Sequence, residues 1–507
     1  MKKIVTLASH VRATTLLCCS AAVLLSACGG GTSDSPTTTA AMVESTNASE
    51  ATVATGAQTP ALTEQSTASG AFQTSSTPAA DAQAPRLLAT VTSVSVSDQI
   101  TELYRTLLKR EPDSAGLQYW VNAVNAGYPM SGVQSSLTSS AEYQSLQAAT
   151  TTPSTSSTTT SIYHLYVSPT GSDSNTGSSS SPFKTITKAA SVAKAGTTVH
   201  VAPGTYYGNV ATKTSGTSTN PIIFLSNTTW GAKIVGSGTE AMWTNNGNYV
   251  QIVGFDISGP GRLGILNYAS NTLVKGNHIH NLTLSGGCTG SGGAGVVNAT
   301  YTGSNGDVIG NVVNDIGKPG GCNGVQGIYS SNAGGKIMNN IVYRVSAYGI
   351  HLWHAASGTI IANNTVFANG SSGMGGGIVT GVGDSPGGVQ LVNTKVVNNI
   401  VYNNPRAGIL QYCYSGVNCI GSGNVVANNL VYGNGSAITM KVGSATGTVS
   451  ADPKFVSYYP TGTGDYRLQS TSPAINRGTS SYAPTTDFLG VARPKGGAFD
   501  IGAYESY

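Results

Sequence analysis

Charge is what this chain has least of: Asp, Glu, Lys and Arg make up 9% of 507 residues, against about a quarter in an ordinary globular protein. A densely ion-paired surface is thereby excluded. The formal charge is +4, and Lys2, Lys3 and Arg12 all precede Cys28, so removal of a leader before that cysteine takes three charges and leaves +1. Such near-neutrality excludes nucleic acid as a natural partner. After Leu25 no apolar run approaches the roughly 18 residues that a membrane span needs. What abounds is glycine, 65 residues without a G-X-Y period, which implies frequent turns and excludes collagen.

The first 27 residues have a basic start, an apolar run from Thr14 to Leu25 and small residues up to Cys28, the layout of a secretory signal. Leu25-Ser26-Ala27-Cys28 resembles a bacterial lipobox, which implies cleavage before Cys28, acylation of that residue and anchoring by lipid rather than by a helix. Gly29 then favours the outer membrane or cell surface, and the membrane is contacted through the lipid alone. Cleavage after an A-x-A-like site, with release, is the alternative.

Residues 28–92 are rich in Ser, Thr, Ala and Gln, with Phe72 the one aromatic, too little apolar area to offset the entropy of ordering them. They read as a disordered stalk. Residues 93–147 read as a small helical module, because Ile100, Leu103, Tyr104, Leu107 and Leu108 recur at helical spacing, as do Leu117, Trp120, Val121 and Val124. Its segment Arg110-Glu111-Pro112-Asp113-Ser114-Ala115-Gly116-Leu117-Gln118-Tyr119-Trp120 resembles an uncharacterised family of bacterial extracellular modules marked by R-x-P-D-x-x-G-x-x-Y-W. Tyr119 and Trp120 are expected in its core. A linker, residues 148–161, follows.

Residues 162–507 repeat. Asn277, Asn311, Asn340, Asn364, Asn399 and Asn429 each stand between two short β-branched runs, at intervals of 34, 29, 24, 35 and 30. A second register places Gly before Ile or Val at Gly264, Gly295, Gly327, Gly349, Gly377 and Gly408. Two registers that repeat together describe stacked coils, each unable to bury its apolar face alone. With Leu165 to Asp173 and Pro203-Gly204-Thr205-Tyr206, the pattern resembles the right-handed parallel β-helix of the pectate-lyase-like superfamily. The fold class expected is therefore mainly β, a solenoid behind a small all-α module and disordered linkers. Phe183 to Ala193 has helical spacing and should cover the open N-terminal end, and the tail from Asp452 to Glu505 should cap the other.

Four cysteines follow Cys28 in an exported chain, which favours disulfides over zinc. Cys288 and Cys322 each lie 11 residues past a register Asn, hence on neighbouring rungs about 4.8 Å apart, within disulfide reach. Cys413 and Cys419 then form the second bridge.

Strand alternation points Ile265, Val296, Ile328, Ile350, Ile378 and Ile409 inward, and so Leu266, Val297, Tyr329, His351, Val379 and Leu410 outward. Two residues on, the outward column is Tyr268, Ala299, Ser331, Trp353, Gly381 and Tyr412. Tyr329, His351 and Trp353 should thus form an exposed face suited to sugar rings, with His354 at the next turn and Asp384 reaching in from the adjoining Gly-rich excursion. Four residues past the register Asn, Asp315 falls one rung from Arg344. His278 and His280 are as readily solvated as functional.

A uronate lyase needs a base and a cation to hold the developing enolate charge; His351 or Lys336 can serve as base, Arg344 as stabiliser. A hydrolase needs two carboxylates, for which Asp315 and Asp384 are the pair. The aspartate cluster that would bind calcium in pectate lyases of this shape is missing, so the cofactor is left open. Tyr348-Gly349-Ile350-His351-Leu352-Trp353 also resembles the Y-G-x-D-P-H element of alginate epimerases, with His351 and Trp353 in place of its Asp and His. The expected function is that of an anchored, monomeric, carbohydrate-active protein, a polysaccharide lyase on an acidic polymer ahead of a glycoside hydrolase. Noncatalytic polysaccharide binding or adhesion is the alternative.

Overall fold

The computed structural model describes residues 96–108, 110, 112–125, 130–138, 140, 142–143, 163–238, 240–284, 292–317, 323–354, 356–383, 389–414, 418–462 and 464–506. The expected leader, stalk and linker, with Cys28, Cys288, Cys322 and Asp384, lie outside the described residues.

The N-terminal module contains helices α1 (Val96–Leu103), α2 (Ser114–Asn125) and α3 (Met130–Thr138), around Ile100, Tyr104, Leu108, Val133 and Leu137. Its sequence motif is structural: the Asp113 carboxylate accepts the Gly116 N–H at 2.8 Å, capping α2, and a Cβ on Gly116 would stand 3.0 Å from the Tyr104 hydroxyl. Arg110 lies over the Tyr104 ring and bonds Glu142. Trp120 packs against this core, but Tyr119 is 65% exposed, contrary to expectation. The two are neighbours on a helix and cannot share one face.

From Tyr163 the chain winds through three parallel sheets. Sheet one has ten strands, from Tyr163–Val167 to Val425–Ala427; sheet two has nine, from Gly204–Tyr207 to Leu430–Tyr432; sheet three has nine, from Val210–Thr212 to Ser436–Thr439. After the first strand of sheet one each coil contributes one strand to each sheet, and a core of Ile, Val, Phe and Trp243 runs inside the stack. The inward column Ile265, Val296, Ile328, Ile350, Ile378 and Ile409 is completely buried and in register rung by rung. Among the described residues no helix is long and apolar enough to cross a membrane.

The register asparagines explain why the coils stack at the corner between sheets one and two. The backbone N–H and side-chain amide of Asn277 both donate to the Asn311 carbonyl oxygen, at 2.9 and 3.0 Å, and the pattern continues through Asn340, Asn364, Asn399 and Asn429. All six are fully buried, so each satisfies backbone groups that water cannot reach. The residue before each is left-handed: Gly276 and Gly310 at φ 64°, Asn339 and Asn363 at 55°, Asn398 at 56°. Only Gly, or Asn by local bonding, takes that conformation cheaply, which accounts for the Gly-Asn and Asn-Asn pairs. Four residues on, Asn281, Asp315, Arg344, Ala368 and Asn403 are left-handed as well, so that column is a bend.

Helix α4 (Ile186–Val192), capped by the Thr185 hydroxyl, packs on the first strands of sheets one and three, where the N-terminal cover was expected. The tail behaves differently. It lies along the outer face of sheet two rather than across the end, with Asn339, Asn363 and Asn398 donating to Thr486, Asp500 and Thr479 carbonyls. Beneath it, Tyr343, Phe367 and Tyr402 meet Phe455, Tyr466 and Tyr504 in a second core outside the coil. Arg493 and Glu505 fasten it, paired at 2.7 Å with both side chains completely buried. Cys413 and Cys419 form the expected disulfide, with Cα atoms 5.6 Å apart.

Candidate functional site

Sheet three carries the expected outward column. Leu266, Val297, Tyr329, His351, Val379 and Leu410 pair in register on successive strands, so Tyr329, His351 and Trp353 do come together. Their rings touch, Tyr329 to His351 at 5.6 Å and His351 to Trp353 at 5.1 Å. What differs is exposure: Tyr329, His351 and Trp353 are 6%, 6% and 7% exposed, and Tyr329 and Trp353 belong to an apolar cluster with Leu263, Leu266 and Val297. The physical reason is local: a Cβ on Gly383 would fall on the Trp353 indole and one on Gly381 within 2.9 Å of it, so this glycine backbone lies directly on the ring.

His351 is accordingly a neutral imidazole. Burial, with His354 adding repulsion, pushes it down to about 3, and its Nδ1 has no hydrogen-bond partner. Tyr348 stacks on it at 4.2 Å.

The rings that do face solvent stand along the rim of this sheet. Tyr268, Tyr301, Tyr412 and Tyr414 are 36%, 53%, 37% and 53% exposed, and from Tyr268 to Tyr412 the row crosses five rungs, about 24 Å. Tyr412 stacks on Trp353. His354 lies beside Trp353 and packs on Tyr301, whose hydroxyl is 3.0 Å from its Nε2. The rim was overlooked in the sequence because only Tyr268 and Tyr412 fall on a register column; Tyr301 and Tyr414 lie two residues beyond it, in the turns.

Arg344 and Asp315 are ion-paired as their spacing implied, but at a bend within the strands of sheet two rather than on sheet three with His351. Arg344 is therefore already partnered by a carboxylate. Lys336, on sheet one, donates its backbone N–H to Asp307 and lines a groove of about 870 Å³ with Trp230, Lys275 and the tail residue Tyr482.

Beside that groove is a cluster the sequence reading missed. His278 and Asp256 pair across neighbouring strands of sheet two, and His280, two residues on, faces the same way. Nδ1 of His278 is 3.5 Å, and Nε2 of His280 3.2 Å, from the same Asp256 oxygen. The imidazoles stack at 3.9 Å, with side chains 16% and 18% exposed, so of the two readings left open solvation is the one that fails. Burial opposes ionisation of Asp256, but the two histidine hydrogen bonds outweigh it and hold the carboxyl far below its ordinary value. The signal in the sequence is the histidine pair at i, i+2; Phe255 stands opposite Asn277 on the preceding coil, so no repeat asparagine marks Asp256 as the neighbour of His278.

Residues 209–366 match the family described as the right-handed β-helix region, and residues 85–147 match a domain of unknown function, DUF4214. The chain is 49% identical over 61 residues to the uncharacterized protein YwoF of Bacillus subtilis (strain 168), a match covering 12% of this chain and 13% of that protein. Among solved structures it is similar to pectate lyase Pel9A, with a TM-score of 0.47, 19% identity, and 69% and 98% of the two chains covered. A rhamnogalacturonan lyase gives 0.42, 18%, 61% and 97%. The family match and the three parallel sheets agree that the coils from Tyr163 to Thr439 form a right-handed parallel β-helix.

Proposed function

We propose that the β-helix binds a polysaccharide along the rim of sheet three and cleaves an acidic one as a lyase. The observation that carries this reading is the row of exposed rings Tyr268, Tyr301, Tyr412 and Tyr414 over five rungs. Flat apolar faces with polar edges suit pyranose rings, and a row of them suits a polymer.

In β-elimination a base removes the proton next to the uronate carboxylate, the electron pair forms the ring double bond, and the glycosidic C–O bond breaks as the leaving oxygen takes a proton. His354 and Tyr301, in mutual hydrogen-bond contact at the rim, have the groups for those two proton transfers. His351 and Trp353 support the rim from below, and Asp384 retains its proposed role as the carboxylate of the adjoining excursion. Lipid anchoring at Cys28 on an outer surface, and a Cys288–Cys322 bridge, belong to the same proposal.

Incubation of the protein with pectate, alginate and glycosaminoglycans tests it, through the ultraviolet absorbance of unsaturated products. A lyase generates them, and His354→Ala abolishes them while binding survives. The second reading, noncatalytic adhesion, is favoured by the pairing of Arg344 with Asp315, which leaves the expected enolate stabiliser neutralised; it expects binding and no products from the parent protein.

A further inference from the structure

We infer that Asp256, His278 and His280 form a binding site for a first-row divalent transition-metal ion of the zinc type, with one coordination position left for water. Among the described residues they are the group of three metal-ligating side chains whose donor atoms lie within 4.8 Å of one another.

The spacing fits one ion. Donors around a tetrahedral zinc sit at about 2.0–2.2 Å from the metal, and so about 3.3 Å from each other. The two distances to the Asp256 oxygen, 3.5 and 3.2 Å, match that edge. The strand geometry imposes this convergence: His278 lies opposite Asp256 across the ladder, and His280 stacks on it from the same strand.

The outer ring nitrogen of His278 supplies the independent observation. Nε2 of His278 is 2.9 Å from the Asn314 side-chain carbonyl oxygen; donating there, it frees Nδ1 to exchange its hydrogen bond to Asp256 for a bond to the ion. Nδ1 of His280 accepts the Asn281 amide N–H at 3.0 Å, which places its proton on Nε2 facing Asp256; an ion bound there takes the place of that proton. Ligating histidines characteristically donate their other N–H to a carbonyl, as His278 does to Asn314. Asn314 is fixed in turn, since its amide donates to Asp315 at 2.6 Å, and Asp315 is held by Arg344. The Asp315–Arg344 pair thereby acquires a use as the outer brace of the histidine.

Donor chemistry selects the ion. Two imidazoles and one carboxylate suit zinc, cobalt, nickel or copper, whereas calcium takes six to eight oxygens. Three protein ligands leave a fourth position open, and Trp230, which packs on His278 at 4.9 Å, also lines the 870 Å³ groove.

The test uses the full chain after chelator treatment, titrated with Zn²⁺, Co²⁺ and Ca²⁺ separately. One equivalent of Zn²⁺ should bind and raise the unfolding temperature, and Co²⁺ should give the visible absorption of a four-coordinate ion. His278→Ala and His280→Ala should abolish both signals, and Asn314→Ala should weaken binding about 10- to 100-fold. X-ray absorption of the zinc-loaded parent, reading two imidazole nitrogens in the first shell, decides the matter without any variant. No bound zinc, zinc binding unchanged in both histidine variants, or calcium binding as tightly as zinc would each overturn the site.

Discussion

The indole of Trp353 and the phenol of Tyr412 lie nearly parallel, 5.8 Å apart at 14°, one ring buried and the other 37% exposed. That pairing divides the sheet-three aromatics into a supporting layer and a presenting layer. Tyr412→Ala and Tyr301→Ala are expected to weaken saccharide binding by on the order of 1 kcal/mol each with little change in stability. Trp353→Ala should instead destabilise the β-helix by about 3–5 kcal/mol. Denaturant unfolding beside binding isotherms separates the two layers.

His351 makes stability depend on pH. Its folded pKa, about 3, lies below the unfolded value near 6.5, so between these the unfolded chain binds the extra proton. The contribution is complete above about pH 6.5 and is lost as pH falls toward 3, at up to roughly 1.4 kcal/mol per pH unit. Subtracting the profile of His351→Phe from that of the parent isolates this slope. A difference that stays flat from neutral to acid would show that His351 is not buried.

Asn364 lies within the corner ladder. Its oxygen accepts the Asn340 backbone and amide N–H groups, and its amide donates to the Ile337 carbonyl. Asn364→Ala leaves these buried groups unpaired at about 1–3 kcal/mol each, so a total loss of roughly 3 kcal/mol or more is expected in denaturant unfolding.

Arg493→Met leaves Glu505 buried without its partner and should cost about 3–5 kcal/mol. The loss should fall on the tail, seen as early proteolytic release of residues beyond 452 while the coils persist.

Replacement of Cys28 by Ala tests the anchor. The variant should partition into the aqueous phase and lose its lipid; retention in membranes equal to that of the parent would rule out the lipobox reading.

The coils were legible in the sequence because their physics is periodic. A buried Asn after a left-handed Gly or Asn, and a Gly before an inward Ile or Val, recur from rung to rung between Asn277 and Asn429, and each marks a position that little else can fill. Register followed from this, including the neighbourhood of Tyr329, His351 and Trp353 and the pairing of Asp315 with Arg344. Burial did not follow, because strand alternation separates inside from outside of the coil and is silent on what lies over the outside. Gly383 on Trp353, and the tail on Tyr343 and Phe367, are contacts between segments with no shared period. The Asp256 cluster escaped for the related reason that its coil carries Phe255 in place of the marking asparagine.

The most direct measurement of the central claim is polysaccharide binding by the parent and by a Tyr301→Ala, Tyr412→Ala, Tyr414→Ala triple variant, compared by calorimetry on one panel of acidic and neutral polymers. The expected result is saturable binding of an acidic polymer by the parent, lost in the triple variant while its unfolding midpoint stays within about 0.5 kcal/mol per substitution. Undiminished binding in the triple variant, or no binding of any polymer by the parent, would contradict the assignment of the rim as the saccharide site.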